Sequence, residues 1–282
     1  MRPYPQQVFR EHFSYVNFSE EQCHRCLCFL KEAVTALCHL LQLQVEPRTR
    51  AWTALPVAVK VTVAFNFYAT RSFQAAAGDI SDIAHLTVHR CIREVTEVLY
   101  RRKNAFISFP MDRAKHDERA LDFACIADFL GVQRAIDCTY IAMHAPQYQV
   151  GIFHNGEGFH SLNNQSVCDH RQCHMQVFAW FPGSSYDSFI LREYSVPPLL
   201  QPGHQVTGWL LGNKGYPLQT WLMNPVRNPS TAAVLTYNES HTAIRNNIKQ
   251  IVGVLKKHVG CLEHSGGALQ CTPEWVSRFM II

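Results

Sequence analysis

Apolar positions recur with a helical period through the first third of the chain and gather into short runs thereafter. Between Glu20 and Leu43, the residues Cys23, Leu27, Leu30, Val34, Leu37 and Leu41 fall three or four apart, which predicts one helix. Ser19 stands where a cap is needed, and Gln22, three residues on, completes a capping box. Pro47 and Pro56 break the pattern, and Val57 to Ala69 gives a second helix. A short helical piece over Ser72 to Asp79, a turn containing Gly78 and a longer helix over Ile83 to Arg102 follow. A small helix, a glycine turn and a longer basic helix make the layout of a helix-turn-helix. Thr87, His89, Arg90 and Arg93 lie early on the longer helix, where side chains would contact bases or phosphates. A plain helical hairpin with a solvated basic face has the same pattern, so both readings stay open.

Ile107 to Asp122 is polar and reads as a connector. From Gln133 the runs turn strand-like. Gln133–Ala142 ends before Pro146, His160–Cys168 is a second strand, and His174–Phe181 stops at Pro182 and Gly183. Ser184–Arg192 reads as a helix, Gly208–Gly212 as a short buried strand, and Thr236–His258 as a long helix ending before Gly260. Strands interspersed with helices predict an α/β domain with a mixed sheet. The expected organisation is an all-α domain over 1–109, a connector over 110–132 and the α/β domain over 133–282.

Composition narrows this picture. With 282 residues, 47% apolar and 17% charged, the chain has the means to bury a sizeable core. A net charge of +4 suits nucleic acid without selecting it. The 11 cysteines form no short-period framework, and Met1 to Arg10 holds no apolar stretch of the kind a secretory leader has. Reduced thiols in the cytoplasm or nucleus are the expectation. No apolar run reaches about 18 residues, so no membrane span is expected.

Three places carry candidate chemistry. Asp137 stands inside an apolar strand between Ile136 and Cys138, where a carboxylate is costly unless paired or metal-bound. Asp187 enters the helix after Pro182–Gly183–Ser184, where on its own it reads better as a helix cap. Gly212–Leu218 is a tight turn straight after a buried strand, the end at which α/β sheets gather site residues. Cys23 and Cys26 form a Cys-x-x-Cys, but they share one helical face and read better as core thiols than as zinc ligands. Cys168 to His174 is rich in metal-ligating residue types and reads better as a hairpin turn.

Phe159–Asn163, the Pro-Gly-Ser loop through Leu191, Trp209–Gly212 with Gly215–Leu218, Asn228–Pro229, Tyr237–Asn238 and Gly253–Lys256 occur in that order. As an ordered set, running from about Phe67 to Val276, they resemble the Harbinger (PIF/Harbinger) transposase-derived nucleases of the DDE class. The resemblance implies an RNase H-like catalytic domain acting on DNA. It also implies three carboxylates holding Mg²⁺ or Mn²⁺ for phosphodiester hydrolysis, and a Myb/SANT-like nuclear partner. The first carboxylate matches Asp137; the second falls on Asn213 and the third, a glutamate in the family, on Lys249. Asn213 and Lys249 are 36 residues apart, the spacing this class shows between its last two acids. Asn213 loses a charge, and Lys249 sets a cation where a metal would bind. A +1 and a +2 charge ~4 Å apart repel by roughly 8 kcal/mol at an effective dielectric of about 20. Asp187 matches the family's His-Asp-Ser aspartate, with Tyr186 in place of the histidine, and is a second candidate ligand. The family continues past Ser265–Gly266–Gly267 into a terminal helix, whereas this sequence stops at Ile282. The expectation is a helix that has barely begun, with apolar surface left uncovered.

Overall fold

Ser19 starts the first helix as its sequence predicts. In the computed structural model, which describes residues 13–46, 55–70, 83–109, 113–193, 208–263 and 268–282, α1 is Glu20–Leu27. The Ser19 hydroxyl accepts from the Gln22 amide (3.2 Å), and Gln22 Oε1 accepts in return from the Ser19 amide (2.9 Å). The predicted single helix then divides. Cys28 takes a left-handed backbone (φ 59°), and α2, Lys31–Val45, leaves at 65° to α1. Lys31 makes the break worthwhile. Its amide donates to Glu20 Oε2 (3.2 Å), and its ammonium donates to the carbonyls of Val16 (2.8 Å) and Phe18 (2.9 Å). α3, Val57–Ala69, is buried along most of its length, and Asn66 donates to the Cys26 carbonyl at the end of α1 (3.1 Å).

α4, His85–Arg102, buries Val88, Cys91, Ile92, Val95 and Val98 and joins α3 through a Tyr68–Thr96 hydroxyl pair (2.6 Å) and a Lys60–Glu94 ion pair (2.8 Å). Of the four residues expected to meet DNA, Thr87 and His89 are half-buried, whereas Arg90 and Arg93 are exposed. The short helix expected over 72–79 lies outside the described residues.

The chain divides into two compact units, Met1–Arg101 with His258–Cys261 and Arg102–Lys257 with Leu262–Ile282. The segment read as a connector holds a helix, α5 (Arg113–Ala127), which packs on the first strand. Its last turns carry Phe123 into a core cluster with Val132, Leu211 and Ile244, with Ala127 packed alongside. Two apolar residues four apart are enough to anchor it, although the run before them is polar.

A five-stranded mixed sheet forms the centre of the second unit. Its strands are β1 (Val132–Ala142), β2 (Ser161–Cys168), β3 (His174–Pro182), β4 (Trp209–Leu211) and β5 (Leu222–Met223), in the order β3-β2-β1-β4-β5. The first three are antiparallel; β4 runs parallel to β1, and β5 parallel to β4. The sequence pattern missed β5, which is two residues long. The Cys168–His174 stretch is the β2–β3 turn, where Asp169 Oδ1 accepts from the amides of Arg171 (3.0 Å) and Cys173 (2.9 Å). A one-turn helix, α6 (Val150–Phe153), lies between β1 and β2, and α7 (Asp187–Glu193) follows β3.

Alternation along β1 decides the two faces. Ile136 faces one way and clusters with Val167, Leu191, Leu210, Tyr216 and Leu222. Ala135 faces the other and clusters with Cys168 and with Ile248 and Ile251 of α8, Ala232–His258. Asp137, an even number of residues from Ala135, shares the α8 side. α8 starts four residues before the predicted Thr236. Tyr237 and Asn238 in its second turn hold the loop after β5: the Tyr237 hydroxyl donates to the Asn224 carbonyl (2.8 Å), while Asn238 accepts from and donates to the Val226 backbone (2.8 and 3.0 Å).

The final segment departs from expectation. Pro273–Ile281 forms a helix, α9, with proline in its first turn, and it packs on β3 with Val276, Phe279 and Met280 buried. These apolar side chains are covered by the sheet, not left bare. Among the described residues, no single helix is long and apolar enough to cross a membrane.

Candidate functional site: a carboxylate pair bridged by an asparagine

Asp137 sits midway along β1, paired across to Ser166, and its residue is 8% exposed. Its Oδ1 accepts from the Cys138 amide (3.1 Å) and from Asn213 Nδ2 (3.0 Å), and its Oδ2 accepts from Arg245 Nη2 (3.0 Å). Asn213 stands two residues past β4, so the parallel pairing of β4 with β1 brings it beside Asp137. The same Nδ2 donates to Asp187 Oδ2 (2.8 Å), at the first position of α7. One amide NH₂ therefore bridges two carboxylates.

The turn fixes the direction of that amide. Asn213 Oδ1 accepts from the Gly215 amide, and the Tyr216 amide donates to the Asn213 carbonyl (3.2 Å). A flipped amide would set its oxygen against two carboxylate oxygens and its NH₂ against an N–H donor, so the network permits one orientation. Gly215 leaves room for these groups: a Cβ would lie 2.8 Å from Asn213 Oδ1 and 2.9 Å from Asp187 Oδ2, so one of them would have to shift. The next residue, Tyr216, turns its ring beneath the site. Its hydroxyl donates to Gln165 Oε1 (3.3 Å) and lies 3.1 Å from Cys138 Sγ. Burial pushes the Cys138 thiol and the Tyr216 phenol well above their ordinary values, with neighbouring Asp187 adding to both. Both stay neutral donors at physiological pH.

Arg245 comes from the second turn past Asn238 on α8. It and Asp137 form an ion pair in which the two side chains are only 15% and 11% exposed. One turn earlier on the same helix, His241 is buried, with Nε2 3.3 Å from the Met223 carbonyl. Burial holds its pKa below the ordinary value, and nearby Arg245 acts in the same direction.

Of the residues singled out in the sequence, the structure brings Asp137, Asp187 and Asn213 together. Lys249 lies one helical turn beyond Arg245 and is exposed, and no described residue hydrogen-bonds or ion-pairs it to the other three. The cation that meets Asp137 is Arg245, which sequence reasoning passed over. A signal for it existed: Arg245 continues the stripe His241, Ile244, Ile248, Ile251 that α8 buries.

A divalent metal does not fit this arrangement as it stands. Asp137, Asp187 and the Asn213 amide oxygen are all hard donors of a suitable kind. The amide, however, presents NH₂ to the carboxylates and turns its oxygen to Gly215, while a guanidinium holds the second oxygen of Asp137. Two carboxylates against one guanidinium leave a single net negative charge, where three acids would leave three. Among the described residues, no group of three or more His, Cys, Asp or Glu converges as a metal site.

The signature of the DDE superfamily endonucleases matches residues 136–279, from the middle of β1 into α9. The "Putative nuclease HARBI1" of Homo sapiens is 32% identical over 271 residues, covering 96% of this chain and 78% of that protein. Its Xenopus laevis counterpart is 31% identical over 253 residues, 90% and 73% of the two chains. The "Protein ALP1-like" of Arabidopsis thaliana is 24% identical over 213 residues, 70% of this chain and 52% of its own. No solved structure matches the chain.

Proposed function

The chain belongs to the DDE superfamily endonucleases, and we propose that it is a transposase-derived, RNase H-like protein that engages DNA while its metal-dependent phosphodiester hydrolysis is impaired. One observation carries this reading: the Asn213 NH₂ stands between Asp137 and Asp187, 3.0 and 2.8 Å from their oxygens, where a cation shared by two carboxylates would have to enter. The mixed sheet, with an acid midway along β1 and the next site residue just past β4, supports the RNase H-like assignment. Two-metal hydrolysis needs carboxylates to gather and fix both ions. Here two acids remain, one neutralised by Arg245.

What the chain's own residues do in this state is structural. Asn213 ties the end of β4 to β1 and α7, and Arg245 ties α8 to β1. The net charge of +4 and the exposed Arg90 and Arg93 on α4 favour a nucleic-acid backbone as the partner. Residence in the nucleus as well as the cytoplasm, and a Myb/SANT-like companion, belong to the same proposal.

The test is plasmid cleavage in Mn²⁺ alongside DNA binding in EDTA. The expected result is no cutting attributable to Asp137, with binding in EDTA that weakens steeply as salt rises. Cleavage by the natural protein that disappears in Asp137→Ala would sink the claim of impairment.

A further inference from the structure

The two elements that supply Asp187 and Asn213 continue past the site and line an open cavity of about 590 Å³. One wall is α7, with Ser188, Phe189 and Arg192; the other is the loop from β4 to β5, with Pro217, Gln219 and Trp221. We propose that this cavity takes an unpaired nucleobase of a DNA strand, a proposal that rests on the DNA-binding reading above and specifies the form of DNA preferred.

The chemistry of the walls points that way. Phe189 is 41% exposed and makes an edge contact with Phe181 (centroids 6.1 Å). The Arg192 guanidinium lies 5.4 Å from the Phe189 ring centroid. Trp221 is half-buried, its inner side packed on the cluster around Ile136 and Leu210. Aromatic faces beside a guanidinium are what sequence-tolerant recognition of single strands uses, because every base has a π-face to stack. Ser188 and Gln219 add hydroxyl and amide groups for a base edge. The volume falls within the range of small-ligand sites. A base inside a duplex is stacked on both faces and has none to offer, so the base must be unpaired.

Charge alone would not make this an anion site. Glu193 lies 3.6 Å from Arg192 Nε and offsets part of its charge. Stacking is the main attraction, and Arg192 contributes as a planar partner and a contact for the adjoining phosphate. The position adds a reason. Ser188 directly follows Asp187, and Pro217 is four residues from Asn213, so the same two elements carry the carboxylate site and line this cavity.

The experiment compares two probes in EDTA by fluorescence anisotropy, using the full chain. One is a blunt duplex and the other the same duplex with a short 3′ oligo(dT) overhang. One stacked base gives roughly a 5- to 140-fold preference for the overhang probe. Trp221→Ala removes part of the core, so Phe189→Leu and Arg192→Gln, both near the surface, are the deciding variants. Each should reduce the preference several-fold, and Phe189→Leu should leave blunt-duplex affinity unchanged. Equal binding of both probes, or a preference that survives both variants, would overturn the cavity assignment and leave the DNA reading standing. Failure to bind either probe would overturn both.

Discussion

Replacing Asn213 by aspartate should convert the bridge into a metal-dependent cluster, with Lys249 left in place. In the natural protein the Asn213 NH₂ donates to Asp137 at 3.0 Å and to Asp187 at 2.8 Å. Hydrogen bonds to charged acceptors each contribute about 1.5–3 kcal/mol, so losing both costs about 3–6 kcal/mol. The new carboxylate also stands ~3 Å from two others, which adds up to about 5 kcal/mol of repulsion per pair at an effective dielectric of 20. Protonation of one acid relieves part of that. In EDTA the variant should therefore melt roughly 6–24 °C below the natural protein, taking the hydrogen-bond loss alone. Mn²⁺ at about a hundred times its Kd returns about 2.7 kcal/mol. Thermal unfolding with and without Mn²⁺ reads both effects, and Asn213→Ala is the control that loses the bonds without gaining a ligand. If Asn213→Asp melts like the natural protein in EDTA, or if Mn²⁺ raises the alanine control as much, the bridging argument is refuted. No change at residue 249 is needed, because Lys249 is exposed and the charge at Asp137 is set by Arg245.

Three further outcomes follow from the same geometry. Arg245→Ala leaves Asp137 buried beside an absent cation and should destabilise by about 3–5 kcal/mol in urea titration, whereas adding Asp137→Asn should restore much of that. Gly215→Ala forces a methyl to within 2.8–2.9 Å of Asn213 Oδ1 and Asp187 Oδ2, and should cost about 1–3 kcal/mol by the same measurement. His241 has its folded-state pKa lowered from 6.5, so the unfolded chain binds the extra proton first. Its contribution to stability is complete above pH 6.5 and is lost as pH falls below that value towards the lowered folded pKa. Melting temperatures between pH 7.5 and 5 should fall less steeply in His241→Gln, and parallel slopes for the two proteins would count against the assignment.

Much of the second unit was legible because its strands are written as apolar runs with clear stops. Pro146 lies beyond β1, Pro182–Gly183 ends β3, and Gly212 ends β4. Asp137 stood out because an acid in an apolar strand demands a partner. The partner itself was not legible. The resemblance set Lys249 at the third acid's position, and the cation that meets Asp137 is Arg245, four residues and about 6 Å earlier along the helix. Arg245 lies 108 residues from Asp137, and its place on the buried stripe of α8 signals burial without naming the partner. The division of α1 from α2 escaped for a related reason: the apolar period runs unbroken through Cys28, and tertiary bonds from Lys31 impose the bend. α5 was hidden by its polar opening turns, and β5 by being two residues long.

The ion pair at Asp137 also sets an order of events during synthesis. β1 leaves the ribosome with its central acid long before Arg245 is made, and Asn213 comes 76 residues after it. A nascent chain that ends between β3 and α8 has every strand of the meander but no cation for the carboxylate at its middle. Drying that sheet early would strand a charge, so β1 must stay hydrated until α8 arrives. The pairing with Arg245 is thus a contact that must form before the core around Asp137 can close, and chains that end before it keep that part of the sheet wet.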